Sequence, residues 1–322
     1  MYRYTSGEGI MNNTVYYDSP VSDEQRRQLL FEGQLFVYSP RKSTLAFIEH
    51  ARRLVAEAFA PLSPEKAQHH MQVELYAKIL GNLKPSFIHH PESKVHLKAI
   101  LSDFGCDLGK TYFDVPKMRS STSDKYLTTG IAYAWHPHRD TWYAAPMCQL
   151  NWWIPIYDIQ PTNAMAFHPQ YWSAPVRNDS EKFNYYEWNK MRGPQLALKT
   201  KEDDRPLSKP IEPIEMDPQI RLICPAGGLI LFSAAQLHSS VPNSSGVTRF
   251  SIDFRTVNYD DALAKRGAPN IDSASTGTTM RDYLRATDLA NLPDEIVELY
   301  DDGTSDRGAL VYRPAEFDEP AR

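Results

Sequence analysis

The segment AWHPHRDTWYA, at residues 134–144, brings several groups capable of chemistry close together. His136, His138 and Asp140 alternate with other residues, and Arg139 lies among them. Two histidines and one carboxylate on one face of Fe(II) leave the remaining positions open for a co-substrate and oxygen. Because side chains two positions apart on a strand project to the same side, His138 and Asp140 could reach one ion. The segment therefore predicts two ligands of a metal centre.

The tripeptide HRD in this segment also occurs in the catalytic loop of protein kinases. A kinase carries DFG after HRD, whereas here DFG precedes it at residues 103–105. The asparagine expected five positions after the aspartate is replaced by Ala145, and GKT at 109–111 lacks its upstream glycine because Phe104 stands there. These departures exclude nucleotide phosphoryl transfer. Ordinary polar surface is the other interpretation of the segment.

A third metal ligand must come from a distant strand that folding brings alongside. His238 is a candidate because it follows the glycine pair and apolar run of GGLILFSAAQLHSSVPN. Eleven residues later begins a strand pattern in which Arg249, Ser251, Asp253 and Arg255 alternate with apolar residues. The polar face of that strand is predicted to meet solvent or to line a site.

Three segments, taken in order, resemble the Fe(II)- and 2-oxoglutarate-dependent oxygenases, in particular the phytanoyl-CoA dioxygenase-like branch. They are HRD, TNAMAFHPQYW and PAGGLILFSAAQLHSSVPNSSGVTRFSIDFRTV, and the resemblance covers residues 130–258. It implies that His138, Asp140 and His238 hold Fe(II), with 2-oxoglutarate and O2 as co-substrates.

The resemblance also assigns the strand that follows His238. It implies that Arg249 binds the distal carboxylate of 2-oxoglutarate, and a planar guanidinium suits this role because it offers two parallel hydrogen bonds. Ser251 matches the Arg-x-Ser pattern of the family and would donate a further bond. Halogenases of the family replace the metal carboxylate with a small residue, so the presence of Asp140 favours hydroxylation-type chemistry. His168 does not match the turn histidine of the family reliably.

The fold class implied by the resemblance is mainly β with α. It is a double-stranded β-helix, a cupin-like jelly roll, buttressed by N-terminal helices. The chain is interpreted as one oxygenase domain over residues 1–322. Residues 20–105 would form the helical support and residues 110–258 the jelly-roll core. Residues 173–219 would be a surface insertion acting as a lid, and residues 260–322 a polar C-terminal extension.

Helical periodicity and cap signals predict individual helices within these zones. Ser22 is expected to cap a helix that stops at Gly33. Further helices are predicted in STLAFIEHARRLVAEAF, PEKAQHHMQVELYAKIL and SKVHLKAILSDFG, in NYYEWNKM of the insertion and in MRDYLRATDLANL of the extension. Strands are predicted in KTYFDV, TGIAYAWH, CQLNWWIPIYDI, AMAFHP, GGLILFSA and VTRFSIDFRTV.

The strand CQLNWWIPI places Gln149, Asn151 and Trp153 on one face. Buried amides need hydrogen-bond partners, so Gln149 and Asn151 are predicted to bind the C1 carboxylate of 2-oxoglutarate or the substrate. A solvent-facing polar stripe is the alternative for the two amides. Trp152 projects to the other face and is expected in the core.

Substrate contacts are predicted from the residues around these strands. Tyr133, Trp135, Trp153 and Arg255 are the candidates, although the aromatic residues also suit a core. Arg255 is less suited than Arg249 to the 2-oxoglutarate carboxylate because it lies six residues further along the strand, about 20 Å away. Pairing with Asp253 is the alternative for Arg255.

Composition bounds the partners and the cellular location. The net charge is −5 and the basic residues form no stripe, which argues against nucleic-acid binding. The chain has no long apolar run to span a membrane and no signal peptide pattern at its N-terminus. Its three widely spaced cysteines suit reduced thiols in a cytoplasmic protein. A monomer or homodimer that binds a small molecule is expected.

The sequence-based function is oxidation of an unactivated C–H bond in a small metabolite, an amino acid or a natural-product intermediate. The outcome would be hydroxylation, desaturation or a ring closure such as cyclopropanation. One alternative is a cupin-type metal enzyme that works without a 2-oxo acid and uses His136 as a ligand. The other is a non-catalytic jelly-roll binding protein.

Overall fold

Four helices form one layer of the fold. The computed structural model describes residues 14–132, 136–191, 199–200 and 207–301. The apolar faces of these helices share one core with the larger of two sheets. The helices are α1 (Asp23–Phe31), α2 (Lys42–Phe59), α3 (Val73–His89) and α4 (Pro91–Asp103).

The helix predictions are confirmed at α1, α2 and α4, and displaced at α3. Ser22 and Gln25 form a capping box at the start of α1, as the sequence predicts. The third helix begins at Val73 rather than at residue 64, and it continues through Pro85 to His89. The glycine and proline of this stretch predict an earlier stop, but the buried stripe that includes Leu80, Leu83 and Phe87 keeps the helix in register with the core.

Two sheets carry the strands. The larger sheet has the order β1-β2-β8-β5-β10-β3-β11, and β4 pairs with β10. Its strands are β1 (Val15–Tyr17), β2 (Leu35–Tyr38), β3 (Thr111–Phe113), β4 (Lys117–Ser121), β5 (Leu150–Pro155), β8 (Leu229–Ser233), β10 (Arg249–Asn258) and β11 (Leu284–Arg285). The smaller sheet has the order β7-β6-β9, from β6 (Met165–Phe167), β7 (Ile220–Leu222) and β9 (His238–Ser240).

Strand β10 separates the helical core from the interior between the sheets. Phe250, Ile252 and Phe254 are fully buried in the core shared with the helices. The alternating residues Arg249 and Arg255 line a pocket on the opposite face. A second apolar cluster, which includes residues of β2, β5, β6 and β8, joins the two sheets. The predicted alternation of β10 is therefore confirmed, and its polar face is a pocket lining rather than a solvent face.

The insertion is less exposed than the sequence suggests. The predicted helix is present as α5 (Tyr185–Lys190). However, the aromatic residues around it form a buried cluster, so this part is a packed wall rather than a polar surface loop: Phe183, Tyr185, Tyr186 and Trp188.

The C-terminal segment departs most from its prediction. It contains α6 (Tyr259–Leu263), a 3₁₀ turn at Thr279–Asp282 and α7 (Asp294–Val297). The helix predicted over MRDYLRATDLANL is wrong, because Leu284 and Arg285 pair with β3 as β11. The strand predicted in TGIAYAWH is also wrong where it is described, since Gly130–Ala132 is a 3₁₀ turn.

Two further expectations can be compared with the fold. All three cysteines are free and buried, as predicted. None of the helices in the described ranges combines the length and apolar character needed to cross a bilayer.

Candidate metal centre and carboxylate pocket

Two histidines that are distant in sequence meet through their backbones. His138 N donates to His238 O at 2.9 Å, and His238 N donates to His138 O at 3.0 Å. This antiparallel pair sets the two imidazole rings with their centroids 4.4 Å apart. The fold therefore supplies the third candidate ligand from the start of β9, as the sequence predicts.

Asp140 reaches the histidines by a different route from the one predicted. It is the first residue of a 3₁₀ turn, Asp140–Tyr143, and not part of a strand, so the alternation argument for its direction is wrong. Its backbone N donates to Ala234 O at 2.9 Å, which fixes the turn against the end of β8. Asp140 Oδ1 lies 3.4 Å from His138 Nε2 and 4.0 Å from His238 Nε2. The ligand atoms of these three residues all lie within 4.8 Å of one another, close enough to hold one ion.

Backbone carbonyls orient both imidazoles. His138 Nδ1 lies 2.8 Å from His136 O, and His238 Nδ1 lies 2.9 Å from Gln236 O. A carbonyl can only accept, so each Nδ1 carries the proton and each Nε2 keeps its lone pair toward Asp140. Burial lowers the pKa of His238 to about 3, so this ring is neutral, as a metal ligand must be.

His136 lies beside this centre but turns away from it. Its ring Nε2 is 2.7 Å from Ser208 O, and only its backbone oxygen meets His138. In this arrangement His136 positions a neighbour, which is the role that its place next to His138 suggests.

The second oxygen of Asp140 is held by the predicted amide pair. Asn151 Nδ2 donates to Asp140 Oδ2 at 2.8 Å and Gln149 Nε2 donates to it at 3.3 Å. Gln149 is fixed in turn, because the Tyr283 hydroxyl donates to its Oε1 at 2.8 Å. Both amides are buried, so a solvent-facing stripe is wrong. The donors leave Oδ1 as the oxygen that faces the histidines.

Arg255 is the charged neighbour of this network. Its Nε lies 3.7 Å from Asp140 Oδ2, and its terminal nitrogens lie 3.3 Å from Asp114 and 3.2 Å from Asp253. Burial acts to raise the pKa of Asp140, but His138 and Arg255 more than offset it and hold this pKa far below its usual range. The alternative in which Arg255 pairs with Asp253 is confirmed.

Arg249 lies further along the same strand face and is incompletely satisfied. Its Nη1 donates to Asn163 O at 2.7 Å, and its guanidinium carbon lies 5.4 Å from the centre of the Trp153 ring. Burial lowers the pKa of Arg249 to about 10, which means that its charge is poorly compensated.

Two buried polar atoms on this face have no hydrogen-bond partner in the described part of the chain. They are Arg249 Nε and Ser251 Oγ. Unpaired buried donors are costly, typically about 1–3 kcal/mol each. An added carboxylate would satisfy both the charge and the donors, so the residues present fit the distal end of 2-oxoglutarate.

One pocket joins these features. Its empty space is about 1400 Å³, part of it open to solvent, and its lining includes Arg249, the histidine pair and Asp140. The insertion and the 3₁₀ turn at Asp140 supply an aromatic wall: Tyr143, Phe183, Tyr185 and Trp188. The predicted substrate residues Tyr133 and Trp135 lie outside the described residues.

The sequence argument missed the contributions of the C-terminal segment. Tyr283 orients Gln149, and Asp272 accepts from Arg139 Nε at 3.1 Å and from Trp142 Nε1 at 2.7 Å. Arg139 points away from the proposed metal ligands and is 1% exposed. The composition of a polar extension carries no signal for such long-range contacts.

Comparisons with known proteins place these observations in a family. Residues 37–251 match the model of the phytanoyl-CoA dioxygenase (PhyH) family. A search of curated proteins gave no match.

Three solved structures illustrate the similarity of this chain to known folds. The epimerase SnoN, solved with Fe3+, alpha ketoglutarate and nogalamycin RO, is 16% identical, with 73% of this chain and 85% of that chain covered and a TM-score of 0.38. EvdO2 from Micromonospora carbonacea var. aurantiaca, complexed with 2-oxoglutarate, is 12% identical. The match covers 74% of this chain and 91% of that chain, with a TM-score of 0.42. AviO1 from Streptomyces viridochromogenes Tue57 is 13% identical. The match covers 79% of this chain and 100% of that chain, with a TM-score of 0.37.

The family match spans more than half of the chain, from β2 into β10, and it contains the histidine pair, the aspartate and Arg249. The chain therefore belongs to the phytanoyl-CoA dioxygenase family and is a non-haem Fe(II)- and 2-oxoglutarate-dependent oxygenase.

Proposed function

We propose that this enzyme oxidises an unactivated C–H bond of a small metabolite, an amino acid or a natural-product intermediate. His138, Asp140 and His238 are the proposed iron ligands, and Arg249 with Ser251 is the proposed clamp for the distal carboxylate of 2-oxoglutarate. The observation that carries the proposal is the partnerless buried Arg249 Nε, because Arg249 lines the pocket that also holds the three ligands. Ser251 Oγ, two residues further along β10, is buried and partnerless as well.

Both imidazoles are oriented as the role requires. Both Nδ1 atoms donate to backbone carbonyls, which leaves the Nε2 lone pairs of His138 and His238 for the metal. The chemistry supplied by bound Fe(II) and 2-oxoglutarate is the activation of O2, with succinate and CO2 as the co-products. The protein holds the reacting groups in place and excludes water around them.

The amide pair has two proposed tasks. Gln149 and Asn151 hold Asp140 Oδ2, which keeps Oδ1 directed at the histidines. We also propose that Asn151 meets the C1 carboxylate of 2-oxoglutarate, since its amide has a second hydrogen beyond the one given to Asp140. Gln149 Nε2 donates its two hydrogens to Asp140 and to Asn151 Oδ1, so its contribution to binding the co-substrate is indirect.

The pocket suggests what the substrate carries. The aromatic wall suits an apolar body. Lys84 and Arg119 contribute positive charge to the lining of the same pocket. Burial, followed by the charge of Arg119, lowers the pKa of Lys84 to about 7. Asp253 pairs with Arg119 at 2.6 Å, and a substrate carboxylate would supply a further negative charge for Lys84, which favours an amino acid or a related acid.

Several structural assignments are part of this proposal. The chain would act as one oxygenase domain, in which the segment 173–219 closes over the pocket and the C-terminal segment completes its wall. Trp153 and Arg255 remain proposed neighbours of the substrate, because both line the pocket beside the ligands. Hydroxylation, desaturation and ring closure all begin from the same abstracted hydrogen, and we propose chemistry of this group.

The test is succinate release from 2-oxoglutarate, measured under Fe(II) and O2 against a panel of free amino acids, other carboxylic acids and their amides. We expect acids to stimulate succinate release in the wild type, and His238→Ala to abolish it. Arg249→Leu should lower succinate release, whereas a cupin-type enzyme that needs no 2-oxo acid would release no succinate even as the wild type. Full succinate release by His238→Ala would contradict the ligand assignment.

A further inference from the structure

A second cluster of metal-ligating side chains lies in the helical layer, and none of its members lines the oxygenase pocket. His50 belongs to α2, while Glu92 and His96 belong to α4. One ligand atom from each lies within 4.8 Å of the others. Glu92 and His96 are four residues apart, so they lie on one face of the helix. Together the two helices present two imidazoles and one carboxylate.

The hydrogen bonds around His50 determine where its lone pair points. The Ser93 hydroxyl donates to Phe87 O at 2.8 Å, so its oxygen must accept from His50 Nε2 at 3.1 Å. The proton of His50 is therefore on Nε2, and Nδ1 carries the lone pair. Nδ1 lies 3.4 Å from Glu92 Oε2. An imidazole whose other nitrogen donates to a fixed oxygen is the usual arrangement of a histidine that ligates a metal.

A cationic group already lies at this point. Arg53 Nη2 is 3.0 Å from His50 Nδ1 and 3.3 Å from Glu92 Oε2. The Arg53 side chain is 48% exposed and Glu92 is 55% exposed. An ion pair this exposed is weak, so the guanidinium can be displaced into water at small cost. The cluster is thus arranged around a positive charge that can be exchanged.

We propose that His50, Glu92 and His96 form a second metal site, independent of the oxygenase centre, that binds a divalent ion such as Zn(II). Two imidazoles and one carboxylate suit Zn(II), with water completing a tetrahedral set. Mg(II) and Ca(II) favour oxygen ligands and fit this set poorly. The ion would take the place of the Arg53 guanidinium and cross-link α2 to α4.

The test measures Zn(II) bound per chain after equilibrium dialysis in a Zn(II) buffer, by elemental analysis of the full-length protein. The wild type should hold two equivalents of Zn(II). Each single variant, His96→Gln or His238→Ala, should hold one equivalent, and the variant that combines both substitutions should hold none. His69→Gln removes an exposed histidine of the same layer and should hold two. Arg53→Met should bind Zn(II) at the helical site about tenfold more tightly, since the competing cation is gone.

Each contrary outcome has a distinct meaning. One equivalent in the wild type that His96→Gln retains, or two equivalents in His96→Gln, overturns the helical site. Unchanged affinity in Arg53→Met overturns the displacement of the guanidinium. Two equivalents in His238→Ala but one in His96→Gln would contradict the proposed iron ligands and leave the helical site supported. His96 is used rather than His50 because it is only half-buried, so its replacement is less disruptive to the core.

Discussion

The buried guanidinium of Arg249 retains a hydrogen-bond donor that no described residue of the chain satisfies. Its Nη atoms are satisfied by Asn163 O and Ser240, while Nε and the neighbouring Ser251 Oγ have no partner among the described residues. Trp153 covers one face of the group and keeps water from it. The unpaired donors form a directed binding surface for an anion.

Arg249→Leu should weaken 2-oxoglutarate binding on the order of a hundredfold. Hydrogen bonds to charged groups contribute about 1.5–3 kcal/mol, and each 1.4 kcal/mol corresponds to about a tenfold change in affinity. The measurement is titration calorimetry of 2-oxoglutarate into Mn(II)-loaded protein under nitrogen. Arg221→Leu, at an exposed arginine outside the pocket, should bind as the wild type does. An unchanged dissociation constant in Arg249→Leu would remove this residue from the carboxylate site.

Asn151→Leu should weaken Mn(II) binding about 10- to 100-fold, because loss of a hydrogen-bonding neighbour of a metal ligand typically has an effect of this size. The variant removes the shortest bond to Asp140 Oδ2, at 2.8 Å, and frees the carboxylate to rotate. The dissociation constant follows from the free Mn(II) signal in electron paramagnetic resonance. Asn243→Leu also loses a buried amide, which bonds to Ser121 O instead, and is the control for general destabilisation. Equal losses in both variants would contradict a specific role.

At the scale of elements, Arg139 connects three parts of the chain. It follows His138, and its guanidinium donates to Ala235 O, Ala174 O and Asp272. These partners come from the end of β8, the start of the insertion and the C-terminal segment. The 3₁₀ turn that begins at Asp140 is therefore fixed from the side opposite to the metal ligands.

Arg139→Met should lower the free energy of unfolding by about 3 kcal/mol, because removing one partner of a buried ion pair leaves the other charge uncompensated. The loss is expected at the low end of the usual range, since Trp142 Nε1 and Val176 N still donate to Asp272. Urea denaturation gives the value. Adding Asp272→Asn should recover part of it by removing the unpaired charge. A change below about 0.5 kcal/mol would mean that the turn is held by other contacts.

Local patterns in the sequence predict some elements well. The capping box at Ser22 and the two faces of β10 follow from short-range rules of spacing and periodicity, and both are confirmed. The direction of Asp140 could not be predicted in the same way, because a backbone bond to Ala234 O sets its turn. The role of Tyr283 could not be predicted either, because its hydrogen bond to Gln149 joins residues that are distant in sequence.

At the scale of the molecule, ligand binding and folding are linked. Mn(II) with 2-oxoglutarate should raise the melting temperature of the wild type, because a ligand at 100 times its dissociation constant adds about 2.7 kcal/mol to the stability. For a chain of this length, the shift should be about 5 °C. Differential scanning fluorimetry measures it, and His238→Ala should show little shift. The same rise in melting temperature in His238→Ala would mean that the metal binds at another site.

The pH dependence of the free energy of unfolding should reveal the lowered pKa of Lys84. Its folded pKa is about 7, lowered by burial and then by Arg119, whereas an unfolded lysine has a pKa of about 10.4. Between these two pKa values, Lys84 is protonated in the unfolded chain but largely neutral in the folded one. The unfolded state therefore binds more protons, and the contribution of Lys84 to the free energy of unfolding rises with pH. Lys84→Met should therefore be stabilised relative to the wild type near pH 7, and the difference should shrink toward pH 10. Urea denaturation at a series of pH values checks this, and a constant difference would contradict the lowered pKa.

The contacts of Tyr283 and Asp272 also affect the order in which the enzyme can be completed during synthesis. All three proposed ligands precede residue 251, where the family match ends, yet the residues that orient Gln149 and anchor Arg139 come later. A nascent chain synthesised as far as the end of β10 would contain every proposed ligand but would lack Tyr283 and Asp272, which orient Gln149 and anchor Arg139. We therefore expect iron to be captured weakly by a nascent chain and retained only after the C-terminal segment has docked.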